Sequence, residues 1–448
     1  MKNIRQVQHV SLGKTFLFPK DIFVQKWKDV FLIIHKRAFS WIVLDKEEFD
    51  IFRKLQEGLS VGECLLRFRK EIVIGVVTQI FAKKFENPPV YAMSQEKLAQ
   101  VHLTNACNLR CKHCYMYSGK AESSELSLDE WLFVIEDFSK NGGTAITFTG
   151  GEVAVLPNVC RIFERAHDLG LRVSILTNGI LWSVEDIKRI SMCADHVQIS
   201  IDGYDRNTYM SVRNFDGFDT AMRAVREFSD AGVPVTIATT PLYDISAEWE
   251  TGYLQFARRV LSTIPKCSIK LNDDLMDGRL VKEDRSKSIR YKEISERLTK
   301  TLLPATEYNA FLEDHAYFNI RNNCGLGNVT ISSTGNVYWC DRIFDLKTRI
   351  NVRTHGFKEI FEMAETVRRK TSVEHFEPCG KCDLKYICGG ACRLRYCLEM
   401  RGKDLLMSDI EGLKMECPLG QKQKILSAMV ALNEKFFLPD NRYDFPDA

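Results

Sequence analysis

Cys107, Cys111 and Cys114 form a C-x3-C-x2-C array inside the stretch NACNLRCKHCYMY at 105–117. Thiolates are soft ligands that suit iron, and three spaced this tightly can hold one face of an iron–sulfur cube. Only three are offered, so one iron keeps an open position where a small molecule can bind, which is a catalytic arrangement more than a structural one. Zinc binding is the competing reading of such an array. A second concentration of thiols lies downstream: Cys324 and Cys340 with Gly335 between them, then Cys379-x2-Cys382-x5-Cys388-x3-Cys392, then Cys417. The knuckle at 379–388 fits a zinc ribbon, but a ribbon uses four Cys and leaves three of these seven unexplained.

Both arrays need a scaffold, and the chain between residues 98 and 271 offers a regular one. Strands are expected at 98–103, 145–150, 172–177, 196–201, 233–240 and 267–271, with helices at 128–139 after the Ser127 N-cap, 159–169, 187–192, 218–231 and 247–264. Strands alternating with helices imply a parallel sheet with crossover helices, a partial (β/α)6 barrel in which chemistry collects where strands end. Polar motifs sit at those ends: Gly150-Gly151-Glu152, Thr177-Asn178-Gly179, and Ser200-Ile201-Asp202-Gly203 followed by Arg213. Glycine admits close backbone approach to a ligand, and Glu152 can accept from an ammonium.

Residues 1–90 read differently. The runs FVQKW, DVFLIIH and AFSWIVL are expected strands. Asp45 and Ser60 are expected N-caps of two short helices, with a third at 72–85 closed by Asn87-Pro88-Pro89. Strands and short helices in that proportion make a small winged-helix-like unit. The unit carries 16 Lys and Arg against 10 Asp and Glu, which suggests an acidic partner. After it come the barrel at 91–272, a charged bridge at 273–323 and a Cys-rich unit at 324–448, where a turn at Ser333-Thr334-Gly335-Asn336 joins two short strands and 425–436 forms a terminal helix. The chain has 448 residues, 45% of them hydrophobic and 27% charged, enough for two or three cores. No secretory leader stands at 1–20 and no apolar run approaches a membrane span, so a cytoplasmic protein without membrane contact is expected. Fifteen Cys in such a chain read as metal ligands, not disulfides. Cys64, Cys160, Cys193 and Cys267 are scattered and are expected to sit as small apolar side chains; Cys397 is expected to be a bystander.

The first array, with His113 before its last Cys and Tyr115 after, resembles that of the radical S-adenosylmethionine (SAM) enzymes, as do GGE and the later strand ends. That resemblance implies a SAM-binding [4Fe–4S] cluster on Cys107, Cys111 and Cys114, whose open iron chelates SAM and whose reduction yields a 5′-deoxyadenosyl radical. It places Gly150, Gly151 and Glu152 at the SAM amino group, Thr177 and Asn178 at the border of its site, Ser200 and Arg213 at its carboxylate, His113 beside the adenine, and Asp202 in the same strand-end motif. The downstream Cys resemble the seven-Cys SPASM extension of peptide-modifying members. That pattern implies one auxiliary [4Fe–4S] cluster on Cys324, Cys340 and Cys392, and another on Cys379, Cys382, Cys388 and Cys417. The stretch 316–323 contains no Cys, where some relatives supply a fourth ligand to the inner cluster. The N-terminal unit, through LDKEEFDIFRKLQEGLSVGECL, resembles the precursor-recognition domain of enzymes that modify ribosomal peptides; there a leader peptide adds a strand to the sheet. The resemblance implies a maturase that crosslinks a ribosomally made precursor peptide, as a thioether first and a carbon–carbon bond next, fed by a reductant such as flavodoxin or ferredoxin. The alternatives are a sulfatase-activating type of protein oxidation and peptide epimerisation. A DNA-binding winged helix in an iron–sulfur regulator is the rival reading, and GGE and SIDG count against it.

Overall fold

The computed structural model describes residues 8–36, 40–87, 96–242, 245–272, 278–279, 285–303, 326–341, 348–393, 413–435 and 443–444. The linker prolines Pro88 and Pro89 and most of 273–323 lie outside them. Near the start, β1 (Gln8–His9) pairs in parallel with β15 (Tyr443–Asp444). An antiparallel sheet of β2 (Ile22–Trp27), β3 (Val30–His35) and β4 (Trp41–Leu44) follows in that order. The unbroken apolar runs in β3 and β4 reflect burial on both faces, since a one-faced strand would alternate. Ile33, Ile42 and Leu44 face α1 (Lys46–Gln56), α2 (Val61–Leu65) and α3 (Lys70–Ala82). The expected caps are in place: Asp45 and Glu48, then Ser60 and Glu63, form reciprocal capping boxes. The opposite face, Leu32, Ile34, Trp41 and Val43, packs against Leu384, Ile387, Leu426 and Met429 from the far end of the chain.

The larger sheet explains the alternation seen in sequence. Strands β5 (Lys97–His102), β6 (Gly143–Thr149), β7 (Arg172–Thr177), β8 (His196–Ser200), β9 (Val235–Thr239) and β10 (Cys267–Leu271) lie side by side in chain order, all parallel. Between them run α4 (Leu128–Lys140), α5 (Cys160–Asp168), α6 (Val184–Ser191), α7 (Arg206–Arg213), α8 (Phe218–Asp230) and α9 (Ala247–Thr263), with α10 (Arg285–Leu302) after β10. Ala99, Val101, Ile146, Phe148, Val173, Ile175, Val197, Ile199, Val235 and Ile237 enter one core with the helices. Their alternates, among them Gln100, Thr147, Ser174, Gln198 and Thr236, take the other face by the two-residue period of a strand. That inner face is therefore polar.

Two findings depart from the sequence reading. The strands expected in the Cys-rich unit, β11 (Val329–Ile331) and β12 (Val337–Tyr338), extend the large sheet: β11 runs parallel to β5 with Thr330 opposite Gln100, and β12 returns antiparallel. The sheet therefore has eight strands, with β10 and β12 at its edges. A helix that was not anticipated, α11 (Phe357–Lys370), seats Phe357 and Phe361 on Phe138 of α4, with ring centroids 5.1 and 5.8 Å away. Beyond it, β13 (Phe376–Glu377) pairs with β14 (Leu413–Lys414), α12 (Lys385–Cys388) carries one of the clustered thiols, and α13 (Gln421–Lys435) is the last helix among the described residues. Cys64, Cys160 and Cys193 are buried and Cys267 half-buried. Among the described residues no helix is long and apolar enough to cross a membrane.

Candidate active site at the strand ends

The first Cys array leaves the end of β5 as a loop closed on itself: Gly119 N–H donates to Asn105 O (2.8 Å) and Cys107 N–H to Gly119 O (3.2 Å). Lys112 N–H donates to Val212 O (2.9 Å), tying the loop to α7. Leu109 N–H points at Cys107 Sγ from 3.4 Å. Two further anchors were not legible in the sequence. Glu125 accepts from Thr104 Oγ1 (2.7 Å), Asn105 N (2.7 Å) and Glu122 N (3.0 Å). Arg279 donates from Nη1 to Cys111 O (3.0 Å), from Nη2 to Ser118 O, and from its backbone to Cys114 O (3.1 Å). No spacing signal marks either residue; each is one charge in a polar stretch. Glu125→Ala removes three hydrogen bonds to a carboxylate and should cost about 2 kcal/mol or more in urea unfolding, with lower iron uptake by the loop. An unchanged midpoint and iron content would show that the loop holds without it.

The end of β6 fits against this loop. Gly151 N–H donates to Thr104 O (2.7 Å) and Glu152 N–H to Ala106 O (2.9 Å). A Cβ on Gly150, whose φ is +144°, would lie 2.4 Å from Thr104 O, and one on Gly151 would lie 2.2 Å from Ala106 O. Both glycines thus admit the loop's own backbone. Glu152 is buried; Oε1 accepts from Thr177 Oγ1 (2.6 Å) and Ala154 N (3.1 Å), and Oε2 from Asn178 N (2.6 Å). Burial raises its carboxyl above the usual range even with these donors. Its side chain therefore joins the ends of β6 and β7 through three donors from within the chain. Asn178 Nδ2 reaches on to Asn108 Oδ1 inside the Cys loop (2.8 Å).

Ser200 ends β8, half-buried, and Asp202 follows at 1% exposure. Asp202 Oδ1 accepts from Thr240 N (2.7 Å), while Oδ2 lies 2.6 Å from Arg213 Nε and 3.1 Å from His113 Nε2. The Arg213 contact is a close, buried ion pair. Burial alone would raise the Asp202 carboxyl, but Arg213 and His113 hold it down to about 2. Burial likewise opposes the Arg213 charge, and Asp202 and Cys111 more than offset it, raising its pKa. Arg213 Nη1 lies 3.8 Å from Cys111 Sγ. Burial raises the Cys111 thiol while Arg213 opposes the rise, and burial pushes the Cys107 thiol up to about 11. His113, Asp202, Arg213 and Cys111 thus form one cluster.

The array fits the group that the resemblance implies. Cys107 lies within the fields of Cys111 and Cys114, and Cys111 within that of Cys114, and around them Asn105 Oδ1, His113 Nδ1 and the Tyr209 hydroxyl are buried without a partner. Orphaned polar atoms beside a thiol array are what a missing polar ligand leaves. Among the described residues no three His, Cys, Asp or Glu converge as on a single ion; a cube places each thiolate on a different iron and asks for no such convergence.

In the Cys-rich segment, Cys379, Cys382, Cys388 and Cys417 also lie within one another's fields. Burial raises the Cys379 thiol, Arg393 opposes, and Cys388, Cys382 and Cys417 add to the rise. Burial raises Cys417 as well, followed by Cys388. Gln421 Nε2 points at Cys388 Sγ from 3.5 Å. Of the other expected set, Cys340 follows β12, Cys392 is exposed, and Cys324 lies outside the described residues, as does Cys397.

Comparison with known proteins agrees with this geometry. The model of the radical SAM superfamily matches residues 101–251. The sporulation killing factor maturation protein SkfB of Bacillus subtilis is 32% identical over 209 residues, 46% of this chain and 48% of SkfB, so the match spans about half of that relative. An AdoMet-dependent heme synthase of Methanosarcina barkeri is 27% identical over 327 residues, 67% of this chain and 91% of that protein. The crystal structure of Streptococcus suis SuiB bound to S-adenosylmethionine superposes with a TM-score of 0.53 at 16% identity, covering 88% of this chain and all of SuiB; that likeness is one of fold. Residues 101–251 of this chain therefore form a radical SAM domain.

Proposed function

We propose that the chain is a radical SAM maturase that crosslinks a ribosomally synthesised precursor peptide. One observation carries this most directly: the Cys107 loop is fastened at once to the ends of β6 and β7 through the GGE turn and to α7 through His113, Asp202 and Arg213. When bound there, a reduced [4Fe–4S] cluster with SAM supplies a 5′-deoxyadenosyl radical able to take a hydrogen atom from a peptide carbon. The chain's own residues set the stage for it. Arg213 brings positive charge to Cys111, Asp202 fixes Arg213 and His113 in place, and Glu152 joins the strand ends so that Thr177, Asn178 and Ser200 border one site. The polar inner face of the sheet suits a solvated peptide segment.

Relatives support a peptide as substrate: SkfB is a maturation protein, and SuiB has been crystallised with its precursor peptide SuiA. The N-terminal sheet offers β2 as an unpaired edge, which can take a leader peptide as a further strand. Cys379, Cys382, Cys388 and Cys417 would hold one auxiliary cluster, and Cys324, Cys340 and Cys392 another. With no Cys at 316–323, the latter set is one thiolate short, and a peptide thiolate fits the vacancy, which favours a thioether over a carbon–carbon bond. Flavodoxin or ferredoxin would supply electrons.

The test is anaerobic coexpression with the short peptide encoded beside the gene, against a Cys107→Ala/Cys111→Ala/Cys114→Ala variant. Loss of two hydrogens per crosslink with the intact protein alone is the expected mass change, and fragmentation then locates the bond. Unchanged mass with SAM cleavage retained would replace crosslinking by epimerisation or by oxidation of another protein. Absence of SAM cleavage in the fully reconstituted protein would overturn the reading.

A further inference from the structure

Arg393 directly follows Cys392 and is fully buried. Its Nε donates to Thr371 O (2.9 Å), Nη1 to Ala391 O (2.7 Å) and Nη2 to Gly389 O (3.1 Å), and its guanidinium lies 5.2 Å over the Phe376 ring. All these partners are neutral. Among the described residues no carboxylate forms an ion pair with it. A buried cation without a counter-charge is strongly unfavourable. Thr371 closes the C-terminus of α11, whose dipole offsets part of the charge; in the last turn of that helix Arg368 is paired with Glu365, and Arg369 and Lys370 are cationic as well.

The backbone is shaped to admit this side chain. Gly389 and Gly390 both take positive φ, +64° and +80°, and a Cβ on Gly390 would lie 2.6 Å from Arg393 Nη1. The same turn joins Cys388 to Cys392, so the guanidinium is built into the loop that carries the thiols. Its Nη2 holds the carbonyl of Gly389, the residue directly after Cys388. Four thiolates around an iron–sulfur core outweigh the positive charge of the core, and the anion becomes more negative when it takes up an electron.

We propose that Arg393 is the built-in counter-charge of a cluster on Cys379, Cys382, Cys388 and Cys417: a positioning residue outside the ligand set that stabilises the reduced cluster. This rests on the reading that those four Cys hold a cluster. Removing the charge should lower the reduction potential, so at a fixed ambient potential a smaller share of the cluster is reduced.

The experiment uses the full chain in the Cys107→Ala/Cys111→Ala/Cys114→Ala background, reconstituted anaerobically, with iron content and an EPR-monitored redox titration. The relevant signal is the one that Cys382→Ala removes. Arg393→Gln should lower the reduced-to-oxidised ratio at least tenfold, about 59 mV for one electron, while Arg393→Lys stays within threefold of the parent. Loss of this cluster's iron in Arg393→Gln with retention in Arg393→Lys also supports the proposal. An unchanged titration in Arg393→Gln overturns it, as does equal loss of iron in both variants, which would make the carbonyl bonds the essential contribution. If Cys382→Ala removes no signal and no iron, the cluster reading itself falls, and the counter-charge with it.

Discussion

Gly151→Ala should abolish iron binding at the Cys107 loop and lower SAM cleavage by at least about 100-fold, the usual consequence of displacing a reacting centre by an ångström. The added Cβ would stand 2.2 Å from Ala106 O and 2.7 Å from Ala106 C and Asn105 O. All three are backbone atoms of the loop, so no rotamer change relieves the clash. The loop can only lift, and lifting breaks the Gly151–Thr104 and Glu152–Ala106 hydrogen bonds that lay it on the end of β6. Overpacking of this kind costs about 1–3 kcal/mol, so the sheet should survive while the site does not. Far-UV circular dichroism should match the parent, with the iron of one cluster missing. A variant that retains full iron and SAM cleavage would refute the close approach.

Asp202→Ala should be the most destabilising single substitution in the barrel. It leaves Arg213, 7% exposed, without its counter-charge 2.6 Å away and removes the acceptor of Thr240 N–H. Breaking a buried ion pair from one side costs about 3–5 kcal/mol, read from urea unfolding. The double variant Asp202→Ala/Arg213→Met should lose less than Asp202→Ala alone, because the stranded charge is gone as well; an equal or larger loss would show that the pair is not what stabilises the fold. The pH dependence has a defined sign. Asp202 titrates near 2 in the folded chain against 3.8 in a free side chain, so its stabilisation is complete above about pH 4 and fades as pH falls towards 2. The gap between parent and variant should narrow over that window.

Much of this arrangement is visible in the sequence because its causes are local. The ends of β7 and β10 follow from runs of β-branched residues between turns, and Asp45, Ser60 and Ser127 announce their helices through side chains that cap three residues on. α7 escaped notice although it carries Arg213: RNTYMSVR is short and polar, and its N-cap, Asp205, sits within the turn after Asp202-Gly203. α11 had a usable signal in Phe357, Ile360, Phe361, Ala364 and Val367, spaced three and four apart, which the neighbouring Cys motif overshadowed. Other features have no local cause. The pairing of β11 with β5 joins residues more than two hundred positions apart, and no side chain near Val329 advertises a parallel partner. Arg279 acts on backbone atoms and Glu125 mostly does, and such atoms carry no sequence identity to match. The Cys spacings are legible in the sequence itself, whereas the role of Glu152 as a tie between strands needed coordinates.

The seam between the first sheet and the last helix sets the order of events during synthesis. Leu32, Ile34, Trp41 and Val43 leave the ribosome early, yet the side chains that cover them, Leu384, Ile387, Leu426 and Met429, are made near the end. Trp41 also waits for the Met429 carbonyl that its indole N–H meets at 3.0 Å. At ordinary elongation speeds that interval is roughly 20 to 80 s, during which one face of the sheet is bare. A nascent chain that stalls before residue 426 presents this face as a sticky apolar surface, and one shortened from the front strands the matching face of α12 and α13 in the same way.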